Sequence, residues 1–329
     1  MGQNSKEVRV TEHGEITNRY NTAITNLGSR SPYIRMGGVY ALDRIMHDSS
    51  RDERAIIPVL SEYVHKEAPH PPEGPPSKES RITVDVQAAL SVIGDRPTGS
   101  QTGDLVDLNG VDLRGLQSIF PLRDDAVVNL RDASLNSINL QNGVIWKFDL
   151  TNANLESAKL SKLLFQYSNL TEAGTSKSDL SGSTCDQSDL TNAILIGANL
   201  RSATLGSDDE GVDSCILRKA NLSGADLTKA NLDRTNLEEV NFTGANLTQA
   251  KFVNAKMHGV ILSTMEPSRP SKIIGVDFTH ADLRDADLRW MDLSSCDLRG
   301  ADLRGAQLDG AKLKGANLEG ARGVPAGHE

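Results

Sequence analysis

The sequence repeats every five residues over most of its length, and this period limits the folds open to the chain. A core-type residue, usually bulky, recurs at each fifth position from Leu130 to Leu205, from Leu217 to Leu262 and from Phe278 to Leu318. These stretches hold 35 units, and the residue two positions before the bulky one is Ala, Ser, Thr, Cys or Gly in 27 of them. Neither position is ever charged, although 24% of the chain is charged. Both positions are therefore predicted to face a dry interior.

A period of five fits neither the helical period of 3.6 nor the strand period of 2. Each unit must contain one short extended step and one tight turn. Glycine often stands two positions after the bulky residue, as at Gly224 and Gly300, where a tight turn favours a residue without Cβ. The register breaks twice. We expect seven extra residues beyond one unit before Leu217 and eleven beyond one unit before Phe278.

Stretches such as Ala301-Asp302-Leu303-Arg304-Gly305 resemble the pentapeptide-repeat family, whose unit is A-[DN]-L-x-x. The resemblance covers about 128–320, with weaker units at Leu108 and Leu113. It implies an all-β repeat solenoid, a right-handed quadrilateral β-helix with four units per turn, preceded here by a small α-helical domain. The expected divisions are a helical module over 1–97 with a Pro-rich linker near 69–78, a transition with weak repeats over 98–127, the β-helix over 128–320 with loops at 206–214 and 263–275, and a tail over 321–329.

The first hundred residues do not follow the period and are predicted to be helical. We expect helices over Ile16 to Leu27, from Ser31-Pro32 to about His47, from a capping box at Ser50-Arg51-Asp52-Glu53 to about Lys66, and from a cap at Asp85 through Ile93. The segment 36–45 resembles the helical module that precedes the repeats in actinobacterial members of the family. Such a module would cap the first turn of the solenoid, whose edge would otherwise invite pairing.

The cysteine pattern indicates the redox state of the compartment in which the protein is found. Cys185, Cys215 and Cys296 are odd in number, lie far apart and occupy core positions of the repeat. This pattern favours free thiols in a reducing compartment over a disulfide scaffold or a zinc site. No apolar run approaches the roughly 20 residues of a membrane helix, and the first residues lack the apolar segment of a signal peptide. A cytoplasmic location without membrane attachment is the expectation.

Three places are candidates for partner binding. Unit counting puts Val144, Trp146, Leu164 and Tyr167 together as an outward apolar patch, which faces either the N-terminal helices of the chain or another protein. The two register breaks are either tolerated insertions or partner contacts on a rigid scaffold. Their candidate contact residues are Asp208, Asp209 and Glu210 in the first insertion, and Arg269 and Lys272 in the second.

Nothing in the sequence indicates catalysis. The histidines have no metal-ligand spacing, and no nucleophile elbow, P-loop or dinucleotide motif is present. We therefore predict no catalytic, cofactor-binding or metal residues and no cofactor. The regularly spaced Asp282, Asp287, Asp292, Asp297 and Asp302 are interleaved with arginines and are interpreted as a charge-paired surface; a cation site is the less favoured alternative.

The leading functional hypothesis is a non-enzymatic protein-interaction scaffold; an enzyme of unknown reaction ranks last. The net charge of −9 argues against direct binding of nucleic acid. The family resemblance adds an alternative, because some members mimic a DNA duplex, bind type II topoisomerases (DNA gyrase or topoisomerase IV) and protect against inhibitors. A homodimer through the C-terminal end of the solenoid is also expected, since the short tail leaves no room for a capping helix there.

Overall fold

The computed structural model describes residues 2–69, 82–96, 105–116, 127–207, 214–262, 271 and 273–324. Its N-terminal part holds four helices: α1 (Gly2–Leu27), α2 (Pro32–Asp48), α3 (Ser50–Glu67) and α4 (Val84–Gly94). The predicted start of α1 at Ile16 was wrong. Apolar spacing identifies only the part of a helix that packs on a neighbour, and the helix continues beyond that part.

Two predicted helix caps were also wrong. The N-cap residue of α3 is Ser49 and that of α4 is Thr83. Asp85 lies inside α4, where its fully buried carboxylate accepts hydrogen bonds from Arg35 of α2 (2.6 Å) and from the Tyr63 hydroxyl of α3. A carboxylate can cap a helix or pair with a distant arginine, and local sequence does not show which.

The crossing of α1 and α2 depends on Gly38. A Cβ on Gly38 would lie 2.8 Å from the carbonyl oxygen of Ala23, whereas a Cβ on the adjacent Gly37 would have no atom within 4 Å. We expect Gly38→Ala to lower the free energy of unfolding by about 1–3 kcal/mol, because the helices must separate. Gly37→Ala is the matched control and should raise it by about 0.5–1 kcal/mol. Urea unfolding followed by circular dichroism measures both, and equal effects would contradict this packing.

The described residues after the helices, from 105 to 324, form one parallel coil. Its named strands are short: β1 (Val128–Asn129), β2 (Val144–Trp146), β3 (Phe148–Asp149), β4 (Leu164–Gln166) and β5 (Thr184–Asp186). β1 pairs with β3. β2 pairs with β4, and β4 pairs in turn with β5. All three pairings are parallel. Isolated parallel bridges continue the pattern, such as Ser134 to Asn154 and Asp282 to Asp302. Within an uninterrupted stretch, bridge partners are 20 residues apart, so one turn contains four five-residue units.

The bridges arrange the units in four columns, numbered here in the order in which the chain visits them. Column 1 contains Ser134 and Asn154, column 2 contains Asn139 and Lys159, column 3 contains Val144 and Leu164, and column 4 contains Asn129 and Asp149. Backbone hydrogen bonds run between turns along each column. In column 1, for example, Leu155 donates to Gly174 at 2.6 Å and Asn154 donates to Ala133 at 2.9 Å. The bulky and small positions point inward and are buried almost throughout, as predicted.

Where an Asp or Asn precedes the bulky residue, it has a structural role that the sequence analysis did not identify. Its side-chain oxygen accepts the backbone N–H two residues later, as in Asp149 to Thr151 (3.1 Å) and Asn199 to Arg201 (3.2 Å). This Asx turn sets the tight turn that follows the bulky residue. The residue two positions after the bulky one then has a positive φ, whether it is Gly224 (+67°) after Asn221 or Glu172 (+61°) after Asn169. Tyr167 (+53°) adopts the same φ without an Asx turn, because Leu164 precedes the bulky Phe165.

The helices cover the first turn of the coil. Asp112 donates its backbone N–H to Ala68 at 3.1 Å, and buried Arg96 donates to the carbonyl of Asn129 at 2.8 Å. Gly94 leaves room for Val128, whose side chain a Cβ there would overlap. Since one hydrophobic core continues from α2–α4 into the coil, the helices close this end.

The second register break is shorter than the sequence suggested. Ser271 and Ile273 are buried as the small and bulky residues of a unit in column 2. Gln249 of the preceding turn donates to the carbonyl of Ile274 at 2.9 Å. The predicted loop over 263–275 therefore includes a repeat unit, and six residues rather than eleven are extra. The prolines at 267 and 270 obscured the small-x-bulky pattern that begins at Ser271.

The prediction that the cysteines are free thiols was wrong for two of them. Cys185 and Cys215 form a disulfide with a Cα–Cα distance of 6.0 Å, within the usual range. Cys296 is free and buried. The pairing depends on the path of the chain around the first insertion, which brings Cys215 back beside the turn that contains Cys185. Repeat position alone therefore could not reveal it.

Reduction of this disulfide is expected to lower the free energy of unfolding by about 3–4 kcal/mol, because the bond closes a loop with a sequence separation of 30. Thiol titration in denaturant should find one reactive thiol without reductant and three with it. Cys296→Ser serves as the control and should leave no thiol before reduction. Three thiols in the unreduced protein would contradict the pairing.

Among the described residues, no helix is both long and apolar enough to cross a membrane.

Candidate protein-interaction surface

Three of the predicted contact residues lie together on column 3. β2 and β4 pair so that Val144 lies beside Leu164 and Trp146 beside Gln166. Trp146 and Leu164 are partly exposed, and Tyr167 is 50% exposed. The ammonium group of Lys147 lies 4.4 Å from the centre of a Trp146 ring, which is a cation–π contact. We call Val144, Trp146, Leu164 and Tyr167 the Trp146 surface.

The first insertion leaves the coil on the same side as the Trp146 surface. The turns after column 3 are made by Lys147, then Tyr167, then Gln187, and the insertion occupies the equivalent place one turn later. Its base is closed where Ser207 donates its N–H to the Ser214 hydroxyl at 3.1 Å and Ser214 donates to the carbonyl of Asp233 at 3.2 Å. Asp208, Asp209 and Glu210 lie outside the described residues.

The second insertion emerges elsewhere, between columns 1 and 2, half a turn from the first. Arg269 and Lys272 lie outside the described residues. Beside this break lie two exposed apolar side chains that the sequence analysis missed, Ile274 (62% exposed) and Trp290 (64%). Trp290 stands at a turn position that is glycine in the next turn, Gly310, and its ring occupies the space a Cβ there would take. The sequence did contain a signal for the exposure of Trp290, because this tryptophan occupies the turn position that glycine often fills.

The regularly spaced carboxylates form ion pairs, as predicted. The shortest Arg–Asp distances are 2.7 Å for Arg284–Asp282, 2.8 Å for Arg289–Asp287 and Arg299–Asp297, and 2.5 Å for Arg304–Asp302. The hydrogen bond from Arg304 lowers the pKa of Asp302 to about 2. Hydrogen bonds from the partner arginines likewise lower the pKa of Asp282 and of Asp297.

These lowered pKa values predict an acid-labile C-terminal part. A carboxylate whose folded pKa is depressed stabilises the fold above its unfolded pKa, near 3.8, and loses that contribution as pH falls through the folded value. We therefore expect stability against urea to fall between about pH 4 and pH 2, with no contribution from these groups to any change between pH 7 and 5. Arg304→Gln should reduce the acid-dependent loss, and Lys314→Gln is the exposed control. An identical acid profile for Arg304→Gln and the parent would contradict the assignment.

The acidic residues on column 4 are interrupted by cations. Asp149 pairs with Arg131 at 3.2 Å, Glu238 with Arg218 at 3.5 Å and Glu239 with Lys219 at 3.5 Å. The column thus alternates in sign and is not a continuous negative stripe. This arrangement weakens, without removing, the field that would attract a basic partner.

Within the described ranges, no three His, Cys, Asp or Glu side chains are grouped as metal ligands. The Cys296 thiol donates to the carbonyl of Ile273 at 3.1 Å, and burial raises the pKa of the thiol to about 12. Cys296 is therefore protonated near neutral pH and suits the core rather than a nucleophilic role.

Fold and surface together define a repeat solenoid with a helical cap. The family model for pentapeptide repeats matches in eight copies, over residues 176–206, 213–244, 229–263, 271–300 and 292–322. The chain belongs to the pentapeptide repeat family, and membership implies a right-handed β-helix.

Several solved structures are similar to this chain. HetL of the cyanobacterium Nostoc sp. Strain PCC 7120, a pentapeptide repeat protein involved in heterocyst differentiation regulation, is 25% identical, covering 69% of this chain and 96% of its own, with a TM-score of 0.23. QnrB1, a plasmid-mediated fluoroquinolone resistance protein, is 20% identical over 60% of this chain and 93% of its own, with a TM-score of 0.31. A pentapeptide repeat protein from the Arabidopsis thaliana thylakoid lumen is 30% identical over 36% and 69%, with a TM-score of 0.26. No curated protein matches the chain.

Proposed function

We propose that this protein is a non-enzymatic scaffold: a four-sided solenoid that binds a partner protein through the Trp146 surface and the adjoining first insertion. The observation that carries the proposal is the placement of Trp146, Leu164 and Tyr167 on hydrogen-bonded neighbouring turns, with Tyr167 half exposed. Tryptophan and tyrosine supply much of the binding energy at protein interfaces, and a rigid ladder fixes them at little entropic cost.

Paired surface variants test this proposal. Trp146→Ser with Tyr167→Ser should abolish specific capture of a partner by the tagged protein while the circular dichroism spectrum stays unchanged. Ile194→Ser is the matched control, because Ile194 is 43% exposed on column 1, away from the Trp146 surface. Equal loss of capture for both variants, or loss for neither, would remove the Trp146 surface from the mechanism.

A second candidate function is modulation of a type II topoisomerase, DNA gyrase or topoisomerase IV, by mimicry of DNA. The acidic side chains on and beside column 4 favour it. A location in the cytoplasm belongs to this proposal because topoisomerases act on chromosomal DNA, and the Cys185–Cys215 disulfide counts against that location. Inhibition of gyrase supercoiling by sub-micromolar protein that weakens with salt would support mimicry. Replacement of Asp208, Asp209 and Glu210 by serine should weaken it. No effect at tens of micromolar would refute it.

The C-terminal end of the solenoid is proposed to pair with a second copy. Leu308, Leu318, Ala306, Ala311 and Ala316 cap the core there but are only partly buried. Because the helices close the other end, this association is tail to tail. Light scattering should give twice the 35.5 kDa chain mass, and Leu308→Asp with Leu318→Asp should give the chain mass. A monomeric parent protein at tens of micromolar would overturn the pairing.

A further inference from the structure

One side of α2 carries two aromatic side chains and is nevertheless exposed. Tyr33 is 71% exposed and Tyr40 is 37% exposed. Gly37 and Arg44 are also exposed and lie on the same side, because residues three or four apart follow one face of a helix. The opposite side of α2, which includes Leu42, is buried against the other helices. We call Tyr33, Gly37, Tyr40 and Arg44 the α2 face.

The fold of this chain does not require the glycine in the middle of the α2 face. A Cβ on Gly37 would have no atom within 4 Å, and its φ is not positive. Alanine at this position would stabilise the helix by about 0.5–1 kcal/mol. Glycine without a packing or conformational reason is typical of a place that another backbone approaches closely.

The two tyrosines stand on either side of Gly37 and leave a gap between them. They are seven residues apart, which is about 10 Å along the helix axis. An α-helix with its side chains is about 10–12 Å wide. A second helix that crosses α2 at Gly37 therefore fits between the two rings. Tyrosines in such positions supply much of the binding energy at protein interfaces.

The charges around the gap favour an acidic partner. Arg30, just before α2, and Arg44, one turn beyond Tyr40, are both exposed. Within the part of the chain that the structure describes, neither guanidinium pairs with a carboxylate, and Asp48, one turn beyond Arg44, already pairs with Arg19 at 2.9 Å. The α2 face of a second copy would bring the same arginines to the contact, and like charges oppose association.

We propose that the α2 face binds an acidic amphipathic helix of another protein. The partner helix crosses α2 at Gly37, packs a small side chain there and places carboxylates beside Arg30 and Arg44. This site is separate from the Trp146 surface and rests on different residues. An anionic membrane surface would also attract the arginines, but the gap at Gly37 fits a helix rather than a layer of headgroups.

Fluorine NMR of the full-length protein tests the proposal, with 3-fluorotyrosine at all five tyrosines. The probes are two stapled 18-residue helices that share one face of Ala and Leu and differ only in polar residues, Glu in one and Lys in the other. The Glu helix should shift the signals of Tyr33 and Tyr40 and leave those of Tyr63 and Tyr167 unchanged. It should bind at least 10-fold more tightly than the Lys helix.

Two variants with matched controls test the gap and the charge separately. Gly37→Leu should weaken binding of the Glu helix at least 10-fold, because its side chain fills the gap. Gly14→Leu is its control, since Gly14 of α1 is likewise exposed with no atom within 4 Å of a Cβ. Arg44→Gln should weaken binding several-fold, and Arg54→Gln, an exposed arginine of α3, should not change it. Unchanged circular dichroism spectra verify that each variant folds.

Several results would overturn the site. Equal affinity for the Glu and Lys helices, or no shift with about 1 mM Glu helix, would show no acidic-helix site. A shift of the Tyr167 signal alone would place the probe on the Trp146 surface. Signals of Tyr33 and Tyr40 that move on dilution without a probe would show that a second copy covers the face. Equal shifts with phosphatidylserine vesicles would indicate a membrane surface instead.

Discussion

Replacement of Arg35 by methionine is expected to lower the free energy of unfolding of the helical cap by about 3–5 kcal/mol, because it leaves a buried carboxylate without its cation. Asp85 is fully buried, and Arg35 donates to it from Nε at 2.6 Å. The hydroxyl of Tyr63 donates to the same oxygen, and burial raises the pKa of Tyr63, so the hydroxyl stays protonated. The network joins α2, α3 and α4.

Arg19→Met is the matched control, since Arg19 pairs with Asp48 at a similar distance, 2.9 Å, but at the surface. Exposed ion pairs contribute about 0–1 kcal/mol, so Arg19→Met should change the free energy of unfolding by no more than that. Adding Asp85→Leu to Arg35→Met should recover part of the loss, because no unpaired charge then remains in the core. Equal urea midpoints for the two arginine variants would contradict the role of this network.

Phe252→Ala is expected to be the most damaging single change in the coil, at about 3–5 kcal/mol, because it leaves a cavity in a close-packed core. Phe252 is fully buried between two other rings, with centroid distances of 6.0 Å to Phe242 and 5.3 Å to Phe278. Phe242 and Phe252 lie in the same turn, on columns 1 and 3, and Phe278 stacks on Phe252 from the next turn, so loss of the Phe252 ring weakens packing both within and between turns.

The effect of Phe252→Ala should be local, since each turn of a repeat protein contacts only its neighbours. Hydrogen exchange should accelerate in residues near 240–280 and remain at parent rates near 150–170. Phe252→Leu keeps most of the volume and should cost clearly less. Uniform acceleration along the whole coil would show that the solenoid unfolds as one unit instead.

The period of five predicted most of the coil because each inward position excludes charge over many units. The assignment of columns followed from the same count, and it correctly placed Trp146, Leu164 and Tyr167 together. Prediction weakened where the period stops. The unit at Ile273 was missed because the preceding insertion changes the register, and the order of residues alone does not show where the repeat resumes.

Contacts between distant segments were beyond the sequence analysis. The positions of Cys185 and Cys215 in the repeat identify them only as core residues. Their pairing depends on the path of the chain around the first insertion. The local sequence around Asp85 predicted a helix cap. Its actual partners, Arg35 and Tyr63, lie on other helices and could not be inferred from that segment.

Site-specific photocross-linking is the most direct test of the central claim that the Trp146 surface binds a protein. A photoreactive phenylalanine analogue placed at Tyr167 should give a discrete cross-linked species in cells that produce the protein, and the same analogue at Ile194 should give none. Addition of Trp146→Ser should remove the species. Cross-links of equal yield at both positions, or none at Tyr167, would contradict the scaffold account.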